Sequence, residues 1–293
     1  MRGLRRIAKD KAKGFGVIRR FVNLEVRQLS QTGNTYVFKC LCIVTHSLLF
    51  FAPSLHGQMA VDLFRQAQVA ASESDRSTAI QLAKEAVAGG IQDSSVQYFL
   101  GRQLFCDGQV QQAVTAFDEY VRLEPNQANR LWERGIAFYY AEKFDEGAKQ
   151  FESYQQFHGN DVENAVWHLL CSGRRIGIPE ARKKTLPIPG DRRVPMMEIY
   201  RLFQGTGTVA DVDAAVKGET VGQDERTSRR FYANLYVGLY YEWTKQPEKA
   251  LQRIRLAAEH PILHYMGDVA RVHLQLRQKN DNSIEHAADD VAE

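Results

Sequence analysis

The sequence predicts an all-α fold: a solenoid of antiparallel helix pairs with a short helical insert and a closing C-terminal helix. Two observations predict it. First, six positions recur without a gap, 34 residues apart. Gly101, Leu104, Val110, Ala113, Phe117 and Tyr120 return as Gly135, Phe138, Phe144, Gly147, Phe151 and Tyr154. Second, these positions sort by size. The eighth and twentieth of each unit are small, and the eleventh, seventeenth and twenty-fourth are large and apolar. Two antiparallel helices approach closely only where side chains are small, and large residues then fill the space around the contact. A fixed period of this length marks stacked helical pairs, each burying its apolar face on its neighbours.

Units begin near Ala60, Ser94 and Ala128. The first keeps the frame with alanines, at Ala67, Ala70, Ala79 and Ala83. In the second, Gly108 serves the turn between helices and Pro125 stops the second helix; Gly159 replaces that proline one unit later. A degraded copy starts near Val162, with Ala181 at its twentieth position but Leu169 at its eighth. Residues 58–185 are therefore read as three clear units and one degraded unit.

Residues 186–230 are read as an insert. Pro187, Pro189, Gly190 and Pro195 exclude a continuous helix. "VPMMEIYRLFQG" reads as a short helix opened near Pro195 and stopped by Gly205, and Thr208 with Asp211 has the spacing of a capping box. The last unit starts at Phe231, with Gly238, Tyr241, Ala250, Ile254 and Ala257 in register. "HPILHYMGDVARVHLQLR" then has the apolar spacing of a closing helix, and 231–278 holds both. Residues 279–293 are polar and acidic and are expected to be disordered.

This pattern resembles the tetratricopeptide repeat (TPR), a 34-residue helix–turn–helix unit. Two features narrow the resemblance. One is the aromatic first helix in "NRLWERGIAFYYAEKFDEGAKQFESYQQFHGNDVENAVWHLL"; the other is the later "YVGLYYEW" with "PEKALQRIRLAAEH" after the insert. Together they look like the bacterial "new lipoprotein I" family of periplasmic TPR adaptors and its relatives in planctomycetes, cyanobacteria and chloroplasts, over roughly Ala60 to Gln278. The resemblance implies a non-enzymatic adaptor that binds other proteins or peptides and forms a homodimer, with a role in envelope or peptidoglycan-enzyme regulation. The family's lipidation cysteine is missing after the apolar segment, so lipid anchoring is not carried over.

The charge is uneven. The formal net charge is +3, but residues 1–39 hold ten of the 38 Lys and Arg and only two of the 35 acids. The remaining chain has 28 basic and 33 acidic residues, so nucleic acid is not an expected partner. After Lys39, residues 40–58 carry no Lys, Arg, Asp or Glu, and Cys40 to Ala52 is mostly apolar. That suits the core of a signal peptide and is too short to span a membrane. Residues 1–57 are read as a signal or targeting segment cut after Gly57, with an upstream start codon accounting for the long basic part. The expected location is the periplasm, with membrane association only through an uncleaved segment. The alternative is a TPR assembly factor targeted to an organelle lumen.

In a TPR array the first helices line the inner face. The groove positions here are Phe64, Tyr98, Arg102, Trp132, Ile136, Tyr139, Tyr140, Leu235 and Trp243. Aromatic and Arg anchors suit peptide binding. The competing reading is that the closing helix or the insert fills this face. Lys and Asn of a carboxylate clamp are absent there, which disfavours a chaperone cofactor. His260 and His264 lie four apart but lack a zinc-protease glutamate, and "QGTGT" lacks the Gly-Lys of a phosphate loop. No catalytic, metal or cofactor residue is assigned. Cys106 and Cys171 read as small buried apolar residues.

Overall fold

The computed structural model describes residues 55–217 and 221–289. The signal-segment reading therefore lies almost wholly outside the described residues. Among them are thirteen α-helices, one 3-10 turn and no strands. Three pairs come first: α1 (Leu55–Ser72) with α2 (Arg76–Ala88), α3 (Ser95–Cys106) with α4 (Val110–Leu123), and α5 (Trp132–Tyr140) with α6 (Phe144–Phe157). The degraded unit is α7 (Val162–Ile176) with a short α8 (Ile178–Lys183). The insert supplies α9 (Met196–Gln204) and α10 (Val209–Ala215). The last pair is α11 (Gln223–Trp243) and α12 (Pro247–Glu259), followed by α13 (Tyr265–Asp289). This is a TPR-type helical repeat fold, folded as one compact unit from Met59 onward.

Each pair turns in the same way. Ser74, Gly108, Glu142 and Lys245 occupy the fifteenth position of their units, and all four have left-handed backbone, with φ of 65°, 77°, 60° and 60°. The next residue's N–H then reaches back five residues: Asp75 to the Ala70 carbonyl, Gln109 to Leu104 and Lys143 to Phe138 at 2.9 Å, and Gln246 to Tyr241 at 2.8 Å. This is a Schellman stop, which satisfies carbonyls at the end of the first helix and reverses the chain. The degraded unit lacks it. Gly177 instead ends α7 with φ 82° and ψ 156°, and Pro179 opens a second helix of six residues.

The size pattern has a direct packing cause. A Cβ on Gly101 would lie 2.7 Å from the Phe117 ring, one on Gly135 2.6 Å from Phe151, and one on Gly238 2.7 Å from Ile254. The eighth position thus receives the side chain of the twenty-fourth. Phe117 and Phe151 are fully buried by it, a gain of about 2 kcal/mol each. The twentieth position serves the contact with the next unit, since a Cβ on Gly147 would meet Cys171 Sγ of α7 at 2.7 Å. Cys106 and Cys171 are free and buried, and burial pushes the Cys106 thiol up to about 12.

The insert closes on the spacing read from the sequence. Gly205 stops α9 in left-handed conformation, and Thr208 and Asp211 cap each other at the start of α10. The C-terminus differs from expectation. Residues 279–289, expected to be disordered, continue α13 as helix to Asp289. Extending a helix already held by packing adds one hydrogen bond per residue without a new nucleus. Residues 290–293 lie outside the described residues.

Candidate functional site

The inner face of the solenoid is covered from within the chain. Tyr265, the first residue of α13, stacks on Phe105 of α3 (5.5 Å, 28°) and meets Trp132 of α5 edge-on at 5.4 Å. The Arg102 guanidinium sits 4.8 Å over the Tyr265 ring. Two turns further along α13, Tyr140 Oη lies 2.9 Å from His273 Nδ1, while His273 Nε2 lies 2.9 Å from Glu242 of α11. An ionised carboxylate only accepts, so His273 donates to Glu242 through Nε2–H. Arg277 donates to both Glu242 oxygens at 2.8 and 2.7 Å. Burial alone would raise the Glu242 pKa, but the hydrogen bonds and charges of His273 and Arg277 outweigh it and hold the carboxyl far below its ordinary 4.5. α13 is thus fastened across α3, α5 and α11 by aromatic contacts at one end and a charged network further along.

The nine sequence-predicted groove residues separate into three groups. Phe64, Tyr139, Leu235 and Trp243 are buried in packing. Phe64 meets Phe99 edge-on at 5.5 Å, Tyr139 meets Trp167 of α7 at 5.3 Å, and Trp243 packs on Phe203 of the insert at 5.5 Å. Tyr98, Arg102 and Tyr140 stay half-buried. Tyr98 Oη donates to the buried Glu133 at 2.6 Å, and Arg102 donates to Tyr98 Oη at 3.1 Å. Burial and the Glu133 charge push the Tyr98 phenol up to about 12. Trp132 and Ile136 line a cavity between α5, α6 and α7. The closing helix and the insert both take part in the covering, through Tyr265 and Phe203.

That cavity, about 170 Å³, lies where α5, α6, α7, the insert and the start of α13 meet. Glu163, Asn164 and Trp167 come from the first turns of α7, Tyr154 from α6 and Arg193 from the loop before α9. Arg193 reaches Glu163 at 2.6 Å, Asp161 at 2.8 Å and Asp191 at 2.6 Å. Tyr236 of α11 donates to the other Glu163 oxygen at 2.5 Å. Burial, then the Asp161 charge, raise the Glu163 pKa to about 7 against the opposing pull of Arg193. Two cavity residues hold buried polar atoms without a hydrogen-bond partner among the described residues, Asn164 Oδ1 and Trp167 Nε1.

Glu163, Asn164, Trp167 and Arg193 were not singled out as a site by sequence reasoning. In sequence Asp191–Arg193 is only a short run with two arginines, while in the fold Arg193 is the central counter-ion of three carboxylates. Its partners are 30 and 32 residues away in two cases, and no local spacing marks such a pair. His260 is exposed, and His264 stacks on Trp132 at 6.2 Å rather than pairing with it as a metal ligand. Among the described residues no group of His, Cys, Asp and Glu has metal-binding geometry, and no helix is long and apolar enough to cross a membrane.

No protein-family model matches the chain, and no curated protein matches it. Among solved structures, MamA 41-end from Desulfovibrio magneticus RS-1 is similar at 14% identity, over 70% of this chain and 96% of that chain, with a TM-score of 0.42.

Proposed function

We propose that this chain is a non-enzymatic scaffold of the TPR type that binds other proteins or peptides, working in an extracytoplasmic compartment. The observation that carries the reading is the inner-face cavity, lined by Trp132 and Tyr154 together with Asp161, Glu163 and Arg193. Such a mixture of aromatic and charged residues suits recognition of a peptide segment. The titratable groups around it are engaged with one another, Glu163 with Arg193 and Tyr236, and Glu242 with His273 and Arg277. No nucleophile stands beside a base in that arrangement, which supports binding over catalysis. The extracytoplasmic setting rests on the apolar, uncharged run at 40–58, and a role in envelope or peptidoglycan-enzyme regulation rests on the family resemblance. An organelle lumen is the alternative compartment.

Crosslinked capture with the full chain from an envelope fraction, coupled to determination of the mature N-terminus, tests both parts. Recovery of a specific protein and an N-terminus near residue 58 is the expected result. Capture of no protein after crosslinking would overturn the scaffold reading, and an N-terminus near residue 39 with organelle import would move the location.

A second arrangement, self-association, is favoured by α1. Val61 and Val69 are eight residues apart on one helix face and are 41% and 52% exposed. A second copy seated on that face would bury both valines. Sedimentation equilibrium of the full chain, with and without Val69→Glu, reads this directly: a dimer that the substitution dissociates is expected, and a monomer at high concentration would end the idea.

A further inference from the structure

Glu163 ties together parts of the chain that are far apart in sequence. It stands in the first turn of α7, in the fourth helix pair. Arg193, in the insert loop, donates to one of its oxygens at 2.6 Å, and Tyr236, in the middle of α11, donates to the other at 2.5 Å. Tyr232, one turn before Tyr236, stacks on it at 6.3 Å, and the Arg193 guanidinium lies 5.8 Å from the Tyr232 ring centre. One carboxylate therefore joins α7 to both the insert and the last helix pair.

The three carboxylates around Arg193 do different work. Asp191 takes the guanidinium with both oxygens and also accepts the Val162 and Arg193 backbone N–H groups. Asp161 caps α7 by accepting the Glu163 N–H at 3.1 Å. Glu163 is met by the side chains of Arg193 and Tyr236. A proton on its Oε2 keeps both bonds: the acid O–H donates to Tyr236 Oη, and the other oxygen still accepts from Arg193. The ionised form instead adds a third negative charge beside one guanidinium, on a side chain only 12% exposed. Burial, then the Asp161 charge, push the carboxyl up to about 7, with Arg193 pulling against them. When α11 and the insert leave α7, water reaches Glu163 and the ordinary value returns.

We propose that the seam joining α7 to the insert and α11 closes with uptake of one proton at Glu163 and loosens as pH rises through neutrality. The closed seam holds Glu163 above its separated value, so between about 4.5 and 7 the closed form binds more protons than the open one. Stabilisation from that proton is fully present below the lower value and is lost as pH rises through the upper one. Arg193 forms part of the cavity wall, so loosening uncovers the inner face on the alkaline side. The charged and titratable groups facing Glu163 are Asp161 at the start of α7, Asp191 and Arg193 from the insert, Tyr154 from α6, Tyr232 and Tyr236 from α11, and His264 before α13. Burial raises all three phenols, which stay uncharged near neutrality. Burial, then the charges of Arg102 and Arg193, hold His264 below its usual range. Its titration therefore acts in the opposite sense, and the effect of Glu163 is read as a difference from a variant.

Two measurements on the full chain test this. Carbon-13 NMR of side-chain carboxyls, with glutamate labelled, should show one glutamate titrating between pH 6 and pH 8, and Glu163→Gln should remove it. Amide hydrogen exchange, corrected for the intrinsic rate at each pH, reads the seam itself. Opening at the start of α7 and in the middle of α11 should increase about tenfold more from pH 6 to pH 8 in the wild type than in Glu163→Gln. Amides of α4, away from the seam, should show no such difference. If Glu163→Gln fails to fold, Tyr236→Phe keeps the carboxyl and assigns it, since loss of the hydroxyl should move its titration to higher pH. No glutamate titrating between pH 6 and pH 8 would overturn the proposal. So would seam amides that follow the same pH course as α4, or the same course in wild type and variant.

Discussion

Glu142 has the same left-handed backbone as Gly108, one repeat earlier, with φ of 60° against 77°. The position is demanded by the Schellman turn, and a residue with a Cβ occupies it at a cost of about 1–2 kcal/mol. Glu142 and Lys245 are both exposed, so the side chains themselves contribute little there.

Glu142→Gly and Lys245→Gly are each expected to raise stability by about 0.5–1 kcal/mol. Relief of strain exceeds the extra chain entropy that glycine brings to the unfolded state. Gly108→Ala should lower it by about 1 kcal/mol. Urea unfolding of the three variants measures all of this, and no gain from either glycine would mean the turn is not strained.

Gly135→Leu places a side chain into the Phe151 ring, where even a Cβ would come within 2.6 Å. The expected loss is at least about 1–3 kcal/mol, with lower helix content. An unchanged melting temperature would refute the crossing described for the eighth and twenty-fourth positions.

Glu242→Gln should cost about 2 kcal/mol at neutral pH, the scale of hydrogen bonds to a charged group. The sign with pH follows from the depressed carboxyl. Its stabilisation is complete above its unfolded value near 4.5 and is lost as pH falls toward the lower folded value. Wild-type stability should therefore drop more steeply than that of the variant between about pH 5 and pH 3. Parallel curves in denaturant titrations across that range would contradict the network.

Ending the chain after His264 removes α13 and with it the burial of Tyr265, Met266, Val269 and Val272. Each contributes about 1.5–3 kcal/mol, so the sum rivals the whole stability of a domain. The expected result is strong binding of an apolar dye and loss of cooperative unfolding. A full-strength melting transition in the shortened chain would show that the inner face does not need its cover.

The sequence by itself determined the helical pairs, their 34-residue spacing, and the glycines that admit Phe117 and Phe151. Those features are periodic because each unit meets the same neighbours in the same way, so physics repeats and the residue pattern repeats with it. Even here the left-handed turn was legible only at Gly108. Ser74, Glu142 and Lys245 accept the conformation without announcing it. The tertiary structure decided what the inner-face residues do. Trp132 and Ile136 border a cavity while Tyr139 and Leu235 vanish into packing, although all four satisfy the same positional rule. The cavity's charged cluster joins Glu163 to Tyr236 across 73 residues, and α13 reaches from Phe105 to Glu242. Such contacts form once per fold rather than once per repeat. Their partners are set by how the degraded unit, the insert and the closing helix come to rest on one another, which no period in the chain records.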